Sequence, residues 1–530
     1  MTERPPGRAR RSRVLATAGL LAITGSLVAA TPAAAAPAPA GCENRSNNSA
    51  AKLIECVTLE GVREHLVAFQ GIADANGGNR ASGLPGYDAS AAYVVEQLEA
   101  AGLEATTQTF EFPFFQELAP AVLAQVTPDA TTYADGASMT YSGSGDVTGT
   151  VQAVDLQEPP LGTSTSGCEA EDFAGFTAGN IALIQRGTCP FGQKAQNAQA
   201  AGASAVIIYN QGQPGATDPF VGTLGAPGIT IPVVSTSYAT GRDLADPAGT
   251  TARVSTSTIS KNAETVNVLA EVTGRTDSVL MVGAHLDSVP AGPGINDNGT
   301  GSAAILEVAQ NIAKTKPEQT IRFAWWGAEE LGLLGSEFYV ADLQANAPAE
   351  LDRISAYLNF DMVGSPNFAR FIYDGDDSDA VGAPAGPEGS AALEDVFQRF
   401  YTDRGLTYEG TDFTGRSDYG PFIAAGVDIP SGGLFTGAEG VKTEEQAARY
   451  GGQAGVAFDE NYHEVGDTIT NVNDEVLDQN SDAIAYAVST LSATLELVPD
   501  PSLPDTPGDI GSGGGLHEDH DDHDHEGLPA

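Results

Sequence analysis

Histidine and carboxylate residues recur in this sequence where an apolar run ends. His285 closes "SVLMVGAH", Glu329 and Glu330 follow "TIRFAWWGA", and Asp361 follows "ISAYLNF". Imidazole and carboxylate groups without thiolates are the ligands that zinc, cobalt and manganese accept in proteins. An apolar segment that ends on two adjacent negative charges therefore indicates that the chain leaves a core and enters a polar site.

Two further segments carry the same chemical groups. Asp297 lies in the loop "GINDNGTGS", and His463 lies in "NYHEVGD" together with Asp467. Two histidines and at least three carboxylates exceed the about three protein ligands of one catalytic zinc, but they suit two ions about 3.5–4 Å apart. Without cations, some of these acids would have to stay protonated. The residue types therefore predict a two-metal site, in which Glu329 and Glu330 divide the tasks of moving a proton and holding metal.

Strand and helix patterns alternate from Asn262 onward, and they place these residues. "SVLMVGAHLDS", "TIRFAWWGAEE" and "ISAYLNFDMVG" are typical of buried strands, with the helix-like "GTGSAAILEVAQNIAKTK" and "LGLLGSEFYVADL" between them. This alternation predicts an α/β fold with a mostly parallel central sheet flanked by helices. Since open parallel sheets bind ligands at the carboxyl ends of their strands, the histidines and acids should meet at that edge.

The stretch from Leu118 to Lys261 has a different pattern. Short β-rich segments such as "GTVQAVDL", "IALIQRG" and "AVIIYNQ" are separated by Gly, Pro and Asp turns, and one helix-like segment lies between two of them. The residue types of a catalytic site do not gather there. We therefore expect a small β-rich domain over 118–261, inserted into an α/β domain formed by 41–117 and 262–497.

The two ends of the chain predict export. In residues 1–35 several arginines precede an apolar, Ala-rich run and A-x-A sites, which is typical of a signal peptide whose cleavage could extend to residue 40. A retained membrane anchor is the alternative, but the apolar run is short for a bilayer span. Residues 498–530 form an acidic His/Asp-rich tail that its composition predicts to be disordered, with metal scavenging as the alternative to a simple solvated tail. The mature protein should be soluble, secreted and extracellular.

Net charge narrows the range of partners. The formal charge is −45, and loss of the arginine-rich leader would make it more negative. Such a chain repels nucleic acid and anionic lipid, so we expect neither as a partner, and no membrane association after the leader is removed.

The four cysteines and an isolated histidine complete the candidate residues. An exported chain favours disulfides, and the cysteine spacings match no zinc knuckle. Three pairings are possible, of which we expect the local one, Cys42 with Cys56 and Cys168 with Cys189. His65 lies beside the apolar stripe of a predicted helix, and we expect it at the surface rather than on a metal.

The motifs "GAHLDSV", "GINDNGTGSAA", "WWGAEELGLLGS", "LNFDMVG" and "NYHEVGDT" together resemble the di-zinc exopeptidases of the aminopeptidase Y and bacterial leucyl aminopeptidase type. The segment "GNIALIQRGTCPFGQKAQNAQAAGASAVIIYN" resembles the protease-associated (PA) domain, whose role here would be a lid, a substrate-selecting wall or a plain insert. The resemblance implies two zinc ions per chain, for which cobalt or manganese could substitute. His285 and Asp361 would hold one ion, Glu330 and His463 the other, and Asp297 would bridge them.

The same resemblance implies roles for residues around the metals. Glu329 would be the general base, and Tyr462 would help to stabilise the oxyanion. Asp287 would orient His285 as a partner behind the metal ligand. Each role matches the position of that residue within a quoted motif.

The resemblance also implies a substrate pocket, and in one respect the sequence departs from it. Arg416 in "TGRSDYGPF" and Phe435 in "GGLFTG" would line the pocket, and a cis peptide would follow Asp297. Some bacterial relatives have cysteines flanking the last histidine, whereas "ENYHEVGD" has none. The loop that carries His463 must therefore be held in another way.

The expected activity is removal of apolar, Leu-like residues from the N-termini of peptides by a monomeric enzyme. A carboxypeptidase or dipeptidase on the same scaffold is the alternative, but it needs a cationic clamp for which Arg416 alone is thin support. Glutaminyl cyclases share the scaffold and tend to use one metal. A receptor-like binding protein would lack metal ligands, and the intact set argues against it.

Overall fold

The computed structural model describes residues 41–157 and 163–497. The expected signal peptide at 1–35 and the expected tail at 498–530 lie outside the described residues. Within the described part, the elements alternate as an α/β fold interrupted by a β-rich segment, so the predicted fold class is confirmed.

The described strands, in chain order, are β1 Ala105–Thr127, β2 Thr131–Tyr133, β3 Ala137–Ser138, β4 Gly145–Ala153, β5 Ile181–Gln185, β6 Ala205–Tyr209, β7 Val233–Thr236, β8 Thr251–Val272, β9 Val279–His285, β10 Thr320–Trp326, β11 Ile354–Phe360, β12 Phe371–Tyr373, β13 Glu409–Thr411 and β14 Ser431–Phe435.

The described α-helices are α1 Ala50–Ile54, α2 Leu59–Ala75, α3 Pro85–Ala100, α4 Phe191–Ala200, α5 Tyr238–Ala245, α6 Gly301–Ile312, α7 Leu334–Asn346, α8 Pro348–Leu351, α9 Ser390–Asp403, α10 Gly420–Ile423, α11 Glu444–Tyr450 and α12 Asp474–Leu491. Helix α3 begins at Pro85, because proline fits the first turn of a helix, where its missing N–H is not needed.

The α/β part is built on a mixed sheet with the strand order β13-β12-β14-β11-β9-β10-β8. Strands β10, β9, β11 and β14 run parallel to one another, and β8 and β12 are antiparallel to their neighbours β10 and β14. The carboxyl ends of β9, β10 and β11 therefore meet at one edge, as the alternating pattern predicts.

Consecutive tryptophans show how both faces of this sheet are covered. Trp325 packs in the core under α6, where its indole N–H donates to the Ser302 carbonyl at 3.1 Å. Trp326 points to the opposite face, where its N–H donates to the hydroxyl of Tyr357 at 2.9 Å. Both tryptophans are fully buried, which explains why the strand has no polar alternation.

The β-rich segment is joined to the α/β part by a long two-stranded ribbon. Strands β1 and β8 pair antiparallel along nearly their whole length, and β8 continues into pairing with β4. Parallel strands β4, β5, β6 and β7 then form the body of the segment, with α4 and α5 packed on them. The expected domain limits at 117/118 and 261/262 fall inside β1 and β8, so the backbone of the ribbon crosses from one part to the other without a linker.

His65 is buried, with 4% of its surface exposed, so the expectation that it lies at the surface is wrong. Its Nδ1 is 2.8 Å from the hydroxyl of Tyr93, and its Nε2 is 3.2 Å from the side-chain oxygen of Gln310. Helices α2, α3 and α6 thus meet around a hydrogen-bonded imidazole, which satisfies its polar atoms in place of water.

Both local disulfides are formed, Cys42 with Cys56 and Cys168 with Cys189, as the sequence predicts.

Over the described residues, none of the helices combines the length and the apolar character that a bilayer span requires.

Candidate metal centre and active site

The carboxylate of Asp297 lies between the two histidines of the site. Its Oδ1 is 3.2 Å from Nε2 of His285, and its Oδ2 is 3.3 Å from Nε2 of His463. The two imidazoles are 178 residues apart in the numbering, at the end of β9 and in the loop that precedes α12. One carboxylate therefore presents a separate oxygen to each imidazole, which is the disposition that a carboxylate shared by two cations requires.

The remaining acids divide between the two imidazoles. His285 Nε2 is 3.2 Å from Asp361 Oδ1 and 3.8 Å from Glu329 Oε2. His463 Nε2 is 2.9 Å from Glu330 Oε2. Although adjacent in sequence, the two glutamates have different histidines as their nearest imidazoles.

Backbone turns at the strand ends aim these side chains. Ala328 and Met362, which adjoin the acids after β10 and β11, have φ values of 55° and 50°, and His463 itself has a φ of 58°. Non-glycine residues rarely adopt this left-handed region, and such residues concentrate at functional sites. The N–H of Ala328 donates to the Ser82 hydroxyl at 2.7 Å, which holds one of these turns.

Hydrogen bonds behind the ligand atoms fix their orientation. Nδ1 of His285 is 3.2 Å from the Asp287 carbonyl oxygen and 3.7 Å from Asp287 Oδ1, so Nε2 is the nitrogen that faces the site. Asp287 Oδ1 instead accepts the N–H of Glu329 at 3.2 Å. Asp361 Oδ2 accepts the hydroxyl of Ser417 at 2.6 Å. Asp287 thus supports both His285 and the general-base candidate.

The acidic side chains of the site lie close enough together to shift one another's pKa values. Burial and the Asp297 charge raise the pKa of Glu330 to about 7, and burial raises the pKa of Glu329 well above its ordinary value. Burial lowers the pKa of His463, but the hydrogen bonds to Asp297 and Glu330 outweigh it and raise the pKa to about 10. These raised pKa values mean that the site favours added positive charge, which a bound cation would also supply.

The donor set fits zinc. Ligand atoms of His285, Asp297 and Glu330 lie within 4.8 Å of one another, and so do those of His285, Glu329 and Asp361. Oε1 of Glu330 is buried without a hydrogen-bond partner, so this oxygen is available as a metal ligand. Imidazole nitrogens and carboxylate oxygens without thiolates match the ligands of catalytic zinc.

The loop that carries His463 is held by a buried amide and carboxylate network in place of cysteines. The Asn471 amide donates to both oxygens of Asp459, at 2.9 and 2.8 Å, and Asp459 Oδ2 also accepts from the Asn296 amide at 2.7 Å. Asp467 accepts the N–H groups of Asn296 and Asp297 at 2.8 and 3.0 Å. The network therefore ties the histidine loop directly to the backbone of Asp297.

Arg80 lies fully buried beneath the same loops, and the sequence analysis did not identify it. Its guanidinium donates to the carbonyls of Leu286, Pro293 and Gly294, the segment between His285 and Asp297. Burial lowers its pKa to about 10, while the surrounding carboxylates oppose that shift. The only sequence signal for it is an arginine inside the Gly-rich loop "ANGGNRASGLPGY", which does not reveal a buried cation.

The metal-ligand candidates line a cavity of about 290 Å³. Arg416 and Phe435 both line it, and the Tyr462 ring stacks on His463 with centroids 3.8 Å apart. Arg416 is paired with Glu439 at 2.8 Å and reaches the Tyr462 hydroxyl at 3.4 Å. The peptide bond between Asp297 and Asn298 is cis, as the resemblance implied.

Comparison with protein families gives two matches. Residues 267–488 match the model of peptidase family M28, and residues 147–244 match the PA domain. Each match falls inside the corresponding part of the expected domain division.

Two curated relatives carry aminopeptidase names. An aminopeptidase of Pseudomonas aeruginosa strain UCBPP-PA14 is 48% identical over 456 residues, which cover 84% of this chain and 83% of that protein. Leucine aminopeptidase 2 of Trichophyton rubrum is 46% identical over 338 residues, 63% of this chain and 66% of that protein.

Solved structures share the fold over most of the chain. An aminopeptidase from Aneurinibacillus sp. strain AM-1 is 27% identical with a TM-score of 0.59, covering 86% of this chain and 98% of that one. A zinc aminopeptidase from Bacillus subtilis is 24% identical with a TM-score of 0.53, covering 82% of this chain and 95% of that one.

Replacing Asn471 with alanine should weaken zinc binding by about 10- to 100-fold, because the histidine loop would lose its tie to Asp459. Zinc content after equilibration in zinc-buffered solutions measures this. Asn346→Ala is the matched control, since that exposed amide donates to Asp342 on its own helix and lies outside the network around Asn471. Wild-type zinc affinity in the Asn471 variant would contradict the role given to the network.

Proposed function

This chain belongs to peptidase family M28 and is a zinc-dependent aminopeptidase, and from that premise we propose that it hydrolyses N-terminal peptide bonds by a two-zinc mechanism. The observation that carries the proposal is the position of Asp297, with one carboxylate oxygen toward each of His285 and His463. A site for a single ion would not need one Asp297 oxygen directed toward each of the two histidines.

His285 and Asp361 are the proposed ligands of one zinc ion, and Glu330 and His463 of the other, with Asp297 shared. Zinc bound there would lower the pKa of a coordinated water toward neutrality and polarise the scissile carbonyl. The protein contributes the positions of the ligands, which Asp287, Ser417 and the Asn471 network hold.

Glu329 is the proposed general base. Its Oε2 lies 3.8 Å from Nε2 of His285, and its backbone N–H donates to Asp287 Oδ1 at 3.2 Å. From that position it takes the proton of the attacking water and returns it to the leaving amine. It is 8% exposed, so bulk water does not compete for the proton.

Tyr462 is proposed to stabilise the oxyanion. Tyr462 lines the cavity, its hydroxyl accepts from Arg416 at 3.4 Å, and its ring is stacked on the His463 imidazole. A hydroxyl donor placed before the reaction stabilises negative charge that develops on the carbonyl oxygen. The acids around it provide acceptors for the free α-amino group of the substrate.

An apolar residue of the leucine kind is the proposed N-terminal preference. Apolar and aromatic side chains form part of the wall of the same cavity, namely Met362, Phe371, Tyr373, Phe435 and Phe458. This wall would remove an apolar side chain from water.

A carboxypeptidase on this scaffold is disfavoured by the state of Arg416. That guanidinium is already paired with Glu439, so it does not offer a free cation to a C-terminal carboxylate.

We also propose that the chain is exported with its leader at 1–35 removed, works as a monomer, and is divided into a peptidase domain (41–117 and 262–497) and a PA domain (118–261). The two disulfides are consistent with an oxidising compartment.

The mature protein should cleave leucine 4-nitroanilide but not its N-acetylated counterpart, because only the first has a free amine for the acidic end of the cavity. Chelation should abolish the activity, and added zinc should restore it. Release of 4-nitroaniline measures each step. Equal cleavage of both substrates, or activity that survives complete zinc removal, would contradict the proposal.

Glu329→Gln should lower kcat by about 10³-fold while zinc content stays at the wild-type level, since the change removes a base and not a ligand. Glu460→Gln, an exposed acid in the same loop as His463, is the control and should leave kcat unchanged. If the Glu329 variant keeps its kcat, another group must be the base.

A further inference from the structure

Arg80 lies in the loop between α2 and α3, and its guanidinium bonds one irregular segment at both ends. The side chain is fully buried. Its Nε donates to the Pro293 carbonyl at 2.9 Å, and its two terminal nitrogens donate to the carbonyls of Leu286 and Gly294. These carbonyls belong to the segment 286–294, which joins the histidine at the end of β9 to the turn that carries Asp297.

The segment 286–294 depends on side chains for its conformation. It forms neither helix nor strand in the described structure. The Ser288 hydroxyl accepts the backbone N–H of Arg80 at 2.9 Å and lies 3.0 Å from the Gly292 carbonyl, to which it donates. Because buried carbonyl groups need donors, the guanidinium supplies the hydrogen bonds that a neighbouring strand would supply elsewhere.

The three hydrogen bonds to carbonyls require the shape of an arginine side chain. A planar guanidinium presents N–H groups on three nitrogens in a fixed fork, whereas a lysine ammonium has its three donors on one nitrogen. The guanidinium also lies over the ring of Phe69, with its central carbon 5.1 Å from the ring centroid. Lysine at position 80 would therefore keep the positive charge but not the contacts with all three carbonyls.

The position of Arg80 links the two units that meet at the shared carboxylate. His285 is held at the end of β9. The backbone N–H of Asp297 donates at 3.0 Å to Asp467, which belongs to the loop of His463. A change in the link between these units would move Asp297 Oδ1 relative to His285 Nε2, which are 3.2 Å apart.

We propose that Arg80 is a positioning residue of the metal centre, which sets the distance between His285 and Asp297 and thereby the affinity for zinc. The inference rests on the proposed two-zinc function. Arg80 is not among the residues that line the cavity, so it acts through the backbone of 286–294 and not on the substrate.

The test is Arg80→Lys, which keeps the charge and removes the fork. Zinc binding should weaken by about 10- to 100-fold, measured by competition with a chelator of known affinity. The absorption spectrum of the cobalt-loaded protein should also change, because the ligands around the ion no longer have their wild-type geometry. Thermal unfolding of the zinc-free protein is recorded beside both measurements and shows whether the variant is folded.

Arg370→Lys is the matched control. Arg370 is also buried, lies over an aromatic ring, that of Phe368, at 5.0 Å, and donates to the Gln479 side chain at 2.9 Å. The same chemical change at that position leaves the segment 286–294 untouched. It should therefore leave the zinc affinity and the cobalt spectrum unchanged.

Wild-type zinc affinity in Arg80→Lys, or an equal loss in Arg370→Lys, would overturn the inference. If Arg80→Lys does not fold, Ser288→Ala decides, since it removes only the hydroxyl between the Arg80 N–H and the Gly292 carbonyl. That variant should also bind zinc more weakly, and an unchanged affinity would overturn the inference. A wild-type protein that binds one zinc ion per chain would refute the two-zinc function, while the compared affinities would still decide the role of Arg80.

Discussion

Mutual repulsion among buried acids is the constraint on which the site depends. Asp297, Glu330, Asp361 and Glu329 converge on two imidazoles inside a protein that already carries a formal charge of −45. Their charges push protons onto the histidines and onto one another, as the raised pKa values of Glu330 and His463 indicate. Bound zinc would relieve this repulsion without adding protons, and it would therefore stabilise the arrangement of these side chains.

The rest of the fold supplies what such a site needs, which is rigidity close to the charges. Parallel strands deliver three of the acidic segments to one edge, and the buried tryptophans of β10 fix the strand on both faces. Arg80 donates hydrogen bonds to the backbone between His285 and Asp297, and the Asn471 network holds the loop of His463. In this chain, amides and carboxylates therefore hold the loop of His463 without cysteines.

The sequence predicted the strand-end residues well because periodicity and position alone place them. His285, Glu329, Glu330 and Asp361 each end an apolar run, and parallel strands bring such ends together. Arg80, Asp459 and Asn471 could not be predicted, since they act through contacts between segments far apart in the chain. His65 was misplaced for a related reason: its helix pattern could not show that Tyr93 and Gln310 would satisfy both ring nitrogens in the core.

Anomalous scattering from crystals of the zinc-loaded protein, measured at the zinc absorption edge, tests the central claim most directly. The account predicts two peaks per chain about 3.5–4 Å apart, one on each side of the Asp297 carboxylate. One peak beside His285 and Asp361 and the other beside Glu330 and His463 would match the proposed ligands. A single peak at full zinc loading, or two peaks that do not share Asp297, would contradict it.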